Sequence, residues 1–139
     1  MKRLALVTLL VTGANGAMAQ EDAPVDCDNA VTQADMNQCA YQDYEKADKE
    51  LNAVWKEAVK SQEEVDKGAA EMGPDYVGAV KALKKAQRAW IDYRDGQCEG
   101  EGYAALGGSM QPMLVSGCLA AKTTARTKEL RELIGGLEN

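Results

Sequence analysis

Four cysteines, Cys27, Cys39, Cys98 and Cys118, and a complete absence of histidine define the reactive chemistry open to this chain. Without histidine the commonest general base is missing, and cysteines joined in disulfides no longer offer thiol nucleophiles. A structural zinc site is disfavoured as well, because no two cysteines have the C-x-x-C spacing. Adjacent carboxylates such as Glu63 and Glu64 are of the type used in glycoside hydrolysis, but they fall in a strongly charged helical stretch and read as a solvated face. Asp26, Asp28 and Asp35 lack the glycine and the terminal glutamate of a calcium loop. The expectation is a protein with no catalytic residue, no metal and no cofactor.

What the cysteines do depends on compartment, and the first residues speak to that. Lys2 and Arg3 form a basic start, Leu4 to Val11 an apolar stretch too short to span a bilayer, and Ala17-Met18-Ala19 an A-x-A cleavage site. Residues 1–19 are therefore expected to be a signal peptide and residues 20–139 a single helical domain, soluble and periplasmic or secreted. A lipid anchor would need a cysteine directly after the cleavage point, whereas Cys27 lies further on. No later stretch is apolar enough for membrane insertion.

In an oxidising compartment an even cysteine count reads as two disulfides. Three pairings are open to the sequence; local pairing, Cys27 with Cys39 and Cys98 with Cys118, is preferred, each small loop contributing about 3 kcal/mol in the loop-entropy picture. The formal charge is −6, and it becomes −8 when Lys2 and Arg3 leave with the signal. Such acidity argues against nucleic acid and anionic lipid, which demand a positive surface, and is compatible with a basic protein partner. It is also an ordinary device for solubility.

The elements that must position these residues are helical. Thr32, followed by Asp35, has the form of an N-cap. Met36, Ala40, Tyr44, Ala47, Leu51, Val54 and Ala58 then recur at steps of three and four along a helix predicted to reach about Lys67. A second helix is expected from Pro74 or Asp75 to about Gly96, with Val77, Val80, Leu83, Ala86, Trp90 and Arg94 on one side. Residues 99–112, rich in glycine and containing Pro112, read as an exposed loop. A third helix over Met113 to Ile134 carries Val115, Leu119, Thr123, Arg126, Leu130 and Leu133. The predicted fold is all-α, an antiparallel three-helix bundle with long helices, disulfide-tied at one end.

Antiparallel alignment sets Arg94 opposite the segment from Asp43 to Asp48 and Trp90 near Ala47 and Leu51. A buried guanidinium requires a carboxylate, so a bridge from Arg94 to Asp43 or Asp48 is expected, fixing helix register. Trp90 reads as core, and Trp55 lies beside the main stripe. Tyr103 stands in the predicted loop with no helix to pack under it, a position suited to anchoring the loop or a partner.

ADKELNAVW (Ala47 to Trp55) and LKKAQRAWIDYRDGQC (Leu83 to Cys98) resemble two motifs of the LprI-like lysozyme-inhibitor family of small exported bacterial proteins. Cys27, Cys39 and Cys118 also stand where its four-cysteine members have theirs. Carried over residue by residue, the motif positions are Asp48, Leu51, Asn52, Gln87, Trp90, Arg94, Asp95 and Cys98. Their chemical types suit packing, helix-to-helix hydrogen bonding and a disulfide. Trp55 stands where tyrosine is commoner, and it keeps an amphipathic aromatic there.

The resemblance implies a soluble envelope protein that binds a basic glycosidase such as lysozyme, with the acidic body steering association. A loop entering the cleft would supply the fit, and its contact residues would be Glu99, Glu101, Tyr103, Ser109, Met110 and Gln111. The alternative is an envelope interaction or accessory protein with an endogenous partner and no action on lysozyme. Neither class is enzymatic.

Overall fold

The computed structural model describes residues 25–136, so the expected signal peptide lies outside the described residues. Three helices dominate: α1 (Gln33–Met72), α2 (Ala79–Gly102) and α3 (Gln111–Gly135). Single 3-10 turns at Cys27–Asn29, Pro74–Tyr76 and Tyr103–Ala105 precede or join them. At 1.5 Å per residue, the 40 residues of α1 make a rod about 60 Å long, against which the two shorter helices pack. α2 runs antiparallel to α1, and α3 returns alongside α1. Asn37 of α1 bonds Ser109 just before α3, while Glu50 of α1 pairs with Arg131 near the other end of α3. The predicted bundle is the observed one.

α1 starts as its sequence dictates. The Thr32 side chain accepts a hydrogen bond from the Asp35 amide and donates to the Asp35 carboxylate, closing the first turn. The helix ends five residues later than Lys67, at Met72. Ala69 and Ala70 sustain it past Gly68, and only Gly73, at φ 139°, breaks it.

The start of α2 also departs from expectation, at Ala79 rather than Pro74 or Asp75. Its cap comes from another helix. Asp66 of α1 accepts from the amides of Gly78 (2.8 Å), Ala79 (2.7 Å) and Val80 (3.1 Å). This carboxylate satisfies the free donors of α2 and sits against the positive end of its dipole.

The interior has two parts. Leu51, Val54, Ala58, Leu83 and Leu130 form a small apolar core, with Trp55, Val59, Trp90 and Ile134 packed around it. Towards the α2–α3 connection the buried groups turn polar: Arg94, Ser116, Thr123 and Thr127. Val77 precedes α2 and is exposed, and two further predicted face positions shift by one residue. Gln87 rather than Ala86 is buried on α2, and Ile134 rather than the exposed Leu133 packs on the core from α3. Disulfides Cys27–Cys39 and Cys98–Cys118 form as the local pairing predicts, both at the polar end. They brace the part of the fold where hydrophobic burial is thinnest.

Hydrogen bonds from three amides hold the Asp66 carboxyl below the ordinary carboxylate range, those of Gly78 and Ala79 foremost. A lowered folded-state value gives stability that is complete above about pH 4 and is lost as pH falls through the folded value. Asp66→Ala is therefore expected to lower the thermal midpoint at pH 7. The gap to the parent protein narrows as the pH is taken below 3, as circular-dichroism melts at both pH values will show.

Candidate functional site

Residues of both motifs meet at one point. Arg94 projects from α2 into the bundle with its side chain 9% exposed. Its Nε donates to Asp95 at 2.8 Å, and one terminal nitrogen lies 3.4 Å from Thr123 Oγ1 on α3 and 3.8 Å from Asp48 Oδ1 on α1. Two aromatic rings lie within cation–π range, Trp90 with its centroid at 5.0 Å and Tyr44 at 5.6 Å from the guanidinium carbon. Stacking and the fork of donors explain how so large a cation is accommodated inside a small bundle. Of the two predicted carboxylates, Asp48 faces Arg94, while Asp43 turns outward to Lys46 at 3.2 Å.

The remaining motif residues extend this cluster. Asn52 donates to Asp48 Oδ2 at 2.9 Å one helical turn away. Gln87 accepts from Arg126 Nε at 3.0 Å, linking α2 to α3, and the Arg126 guanidinium lies 6.0 Å from the Trp90 ring. Leu51 belongs to the apolar core and Cys98 is fully buried in its disulfide. Burial raises the Tyr44 hydroxyl above its ordinary value, with the Arg94 charge opposing that shift. Arg94 spends its Nε on Asp95 and one terminal nitrogen on Thr123 with Asp48 opposite, while the carboxylates of Asp48 and Asp95 remain partly open to solvent.

The predicted loop is mostly not a loop. α2 continues through Gly96 and Gly100 to Gly102, so Glu99 and Glu101 stand on its last turns, and Gln111 opens α3. Packing overrides glycine's poor helix propensity here. Cys98 is tied to Cys118 of α3, and Gly102 lies so close to α3 that a Cβ would meet Val115 Cγ2 at 2.5 Å. Only Leu106 to Met110 lie outside helical turns. They are held rather than loose: the Ser109 carbonyl accepts from Asn37 at 2.9 Å, and the Gln111 side chain accepts from the Gly107 amide at 3.1 Å.

The predicted contact residues thus divide. Glu99, Glu101, Tyr103 and Met110 are exposed at the tip of the bundle, with Glu101 also accepting from Gln97 at 3.1 Å. Ser109, though exposed, anchors the tip through its backbone, as Gln111 does through its side chain. Leu106 was missed, although it is 67% exposed against 57% for Tyr103. An apolar residue just before Gly107-Gly108 was the available signal. Tyr41, Tyr44, Asp48 and Asn52 also line one open face of α1. Among the described residues no cluster of cysteine, aspartate or glutamate could hold a metal ion, and no helix is long and apolar enough to cross a membrane.

Fold and surface together define a small, disulfide-braced helical domain that offers an acidic, aromatic tip beyond a buried polar interior. The profile of the family described as "Lysozyme inhibitor LprI" matches residues 27–130, and the chain belongs to that family. It is similar to an uncharacterized protein of Rhizobium meliloti, 53% identical over 133 residues covering 96% of this chain and 95% of that one. It is similar also to the uncharacterized protein YecT of Escherichia coli, 32% identical over 97 residues covering 67% of this chain and 59% of YecT. No solved structure matches the chain.

A lysine at position 94 would keep the charge but lose the fork that reaches Asp95, Thr123 and Asp48 at once. Arg94→Lys is expected to destabilise the fold by roughly 1–3 kcal/mol. Urea unfolding should show the loss as a lower midpoint with an unchanged slope.

Proposed function

We propose that this protein is an exported, non-enzymatic inhibitor that binds a basic glycosidase of the lysozyme type in the periplasm or outside the cell. The observation that carries the reading is membership of the LprI lysozyme inhibitor family, matched over residues 27–130. Two disulfides agree with an oxidising compartment. The net charge of −6, deepening once Lys2 and Arg3 are removed, favours encounter with a basic enzyme.

The tip is the surface best suited to the cleft of such an enzyme. Tyr103, Leu106 and Met110 present apolar side chains at the end of the rod, flanked by Glu99 and Glu101. An exposed apolar cluster edged by carboxylates matches a cleft with basic rims, the apolar groups supplying affinity and the charges orientation. The tip is anchored by the Cys98–Cys118 disulfide and by Asn37, so little ordering entropy is lost on binding.

Calorimetry of the disulfide-bonded protein with a c-type lysozyme, beside a cell-wall lysis assay, tests this. Saturable binding that survives physiological salt and suppresses lysis is expected. Tyr103→Ala should weaken binding roughly 10- to 100-fold, as should replacement of residues 107–111. Unchanged binding in both variants would refute the tip as the contact. Binding that vanishes with salt would refute inhibition and favour an endogenous envelope partner.

A further inference from the structure

The outer face of α2 carries a pattern that the bundle itself does not use. Lys81, Lys85, Arg88, Asp92, Asp95 and Glu99 recur at steps of four and three, and all six are exposed. They lie opposite the side of the helix on which Leu83, Gln87, Arg94 and Cys98 are buried. Charge is sorted along this stripe. Every ionised side chain from Ala79 to Ile91 is a cation, and from Asp92 onwards carboxylates take over on this face. Among the described residues, Asp95 alone of the six has an ion-pair partner, Arg94.

For a single copy this order is unfavourable. A helix is positive at its N-terminus and negative at its C-terminus, so Lys81 in the first turn and Glu99 in the last each meet their own sign. Asp66 relieves the first end, whereas no basic residue of α2 stands in its last turn.

Laying a second copy of α2 antiparallel against the stripe reverses that balance. About a two-fold axis through position 90, Lys81 meets Glu99 of the other copy, Lys85 meets Asp95 and Arg88 meets Asp92, and symmetry makes each pair twice. A slip of one heptad in either direction sets like charges opposite, Lys85 against Arg88 or Asp92 against Asp95. Ala82, Ala89 and Gly96 run along one edge of the stripe, where small side chains let two backbones approach. Ile91, 38% exposed, stands at the other edge beside the axis.

We infer that the outer face of α2 is a self-recognition surface, on which two copies of this protein pair antiparallel in a symmetric dimer. The pairing sends the two tips to opposite ends, with Tyr103, Leu106 and Met110 beyond the last matched charges. It does not depend on what those tips bind, so dimer and inhibitor reading can fail separately. Exposed ion pairs are individually weak and two acidic copies repel at a distance, which makes the dimer weak and sensitive to salt.

Sedimentation of the disulfide-bonded protein at concentrations up to roughly 1 mM, in low and in high salt, tests the assignment. A dimer is expected at low salt, with its loss at high salt. Lys81→Glu combined with Arg88→Glu should weaken it roughly tenfold or more, as should Asp92→Arg combined with Glu99→Lys. Mixed one to one, the two double variants should recover a dimer, because every reversed charge then meets a reversed counterpart. Tyr103→Ala should leave the dimer unchanged. In the unaltered protein, amide chemical shifts that move with concentration should lie between Lys81 and Glu99. Monomer throughout at low salt would overturn the proposal, as would a dimer indifferent to both double variants. So would concentration-dependent shifts confined to other parts of the chain.

Discussion

The guanidinium of Arg94 is where all three helices meet, and the register of the bundle depends on it. The apolar core beside it rests on a few aliphatic side chains, Leu51, Val54, Leu83 and Leu130, in a chain with no phenylalanine. Leucine and valine pack acceptably at several offsets, so such a core sets depth better than register. A buried guanidinium is less forgiving. Sliding α2 by one turn, about 5.4 Å, would carry it away from Asp48, Thr123 and the Tyr44 ring together and leave it only Asp95 and Trp90 of its own helix.

Both ends of the bundle are then secured by contacts that cross between elements. At one end Asp66 of α1 caps α2, so the long helix supplies the N-terminus that its neighbour's own sequence does not. At the other, Cys98–Cys118 and the contact of Gly102 with Val115 hold α2 and α3 close enough for only Leu106 to Met110 to bridge them. The consequence for function is a short tip of fixed origin, on which Tyr103, Leu106 and Met110 face solvent.

Much of this was legible in the residues. Steps of three and four marked the faces of α1 and α2, Thr32 announced the first cap, and antiparallel alignment brought Arg94 to Asp48. Cysteine number announced two disulfides, and the structure selects the preferred local pairing from the three that the sequence left open. What failed to show was tertiary in origin. Nothing local to Pro74–Gly78 says that α2 waits for a carboxylate twelve residues upstream of Gly78. Gly96 read as the end of a helix and Gly100 and Gly102 as a loop because their low helix propensity is visible in sequence, while the disulfide and the close approach to Val115 that outweigh it are not.

A buried polar cluster sets the geometry of the bundle, and the exposed tip is the surface proposed to meet a basic glycosidase. Hydrogen–deuterium exchange of the protein alone and saturated with a c-type lysozyme tests that division most directly. New protection concentrated between Glu99 and Gln111 is predicted, with the amides around Asp48 and Arg94 slow in both states. Protection centred elsewhere, or none on the tip at saturation, would contradict that division.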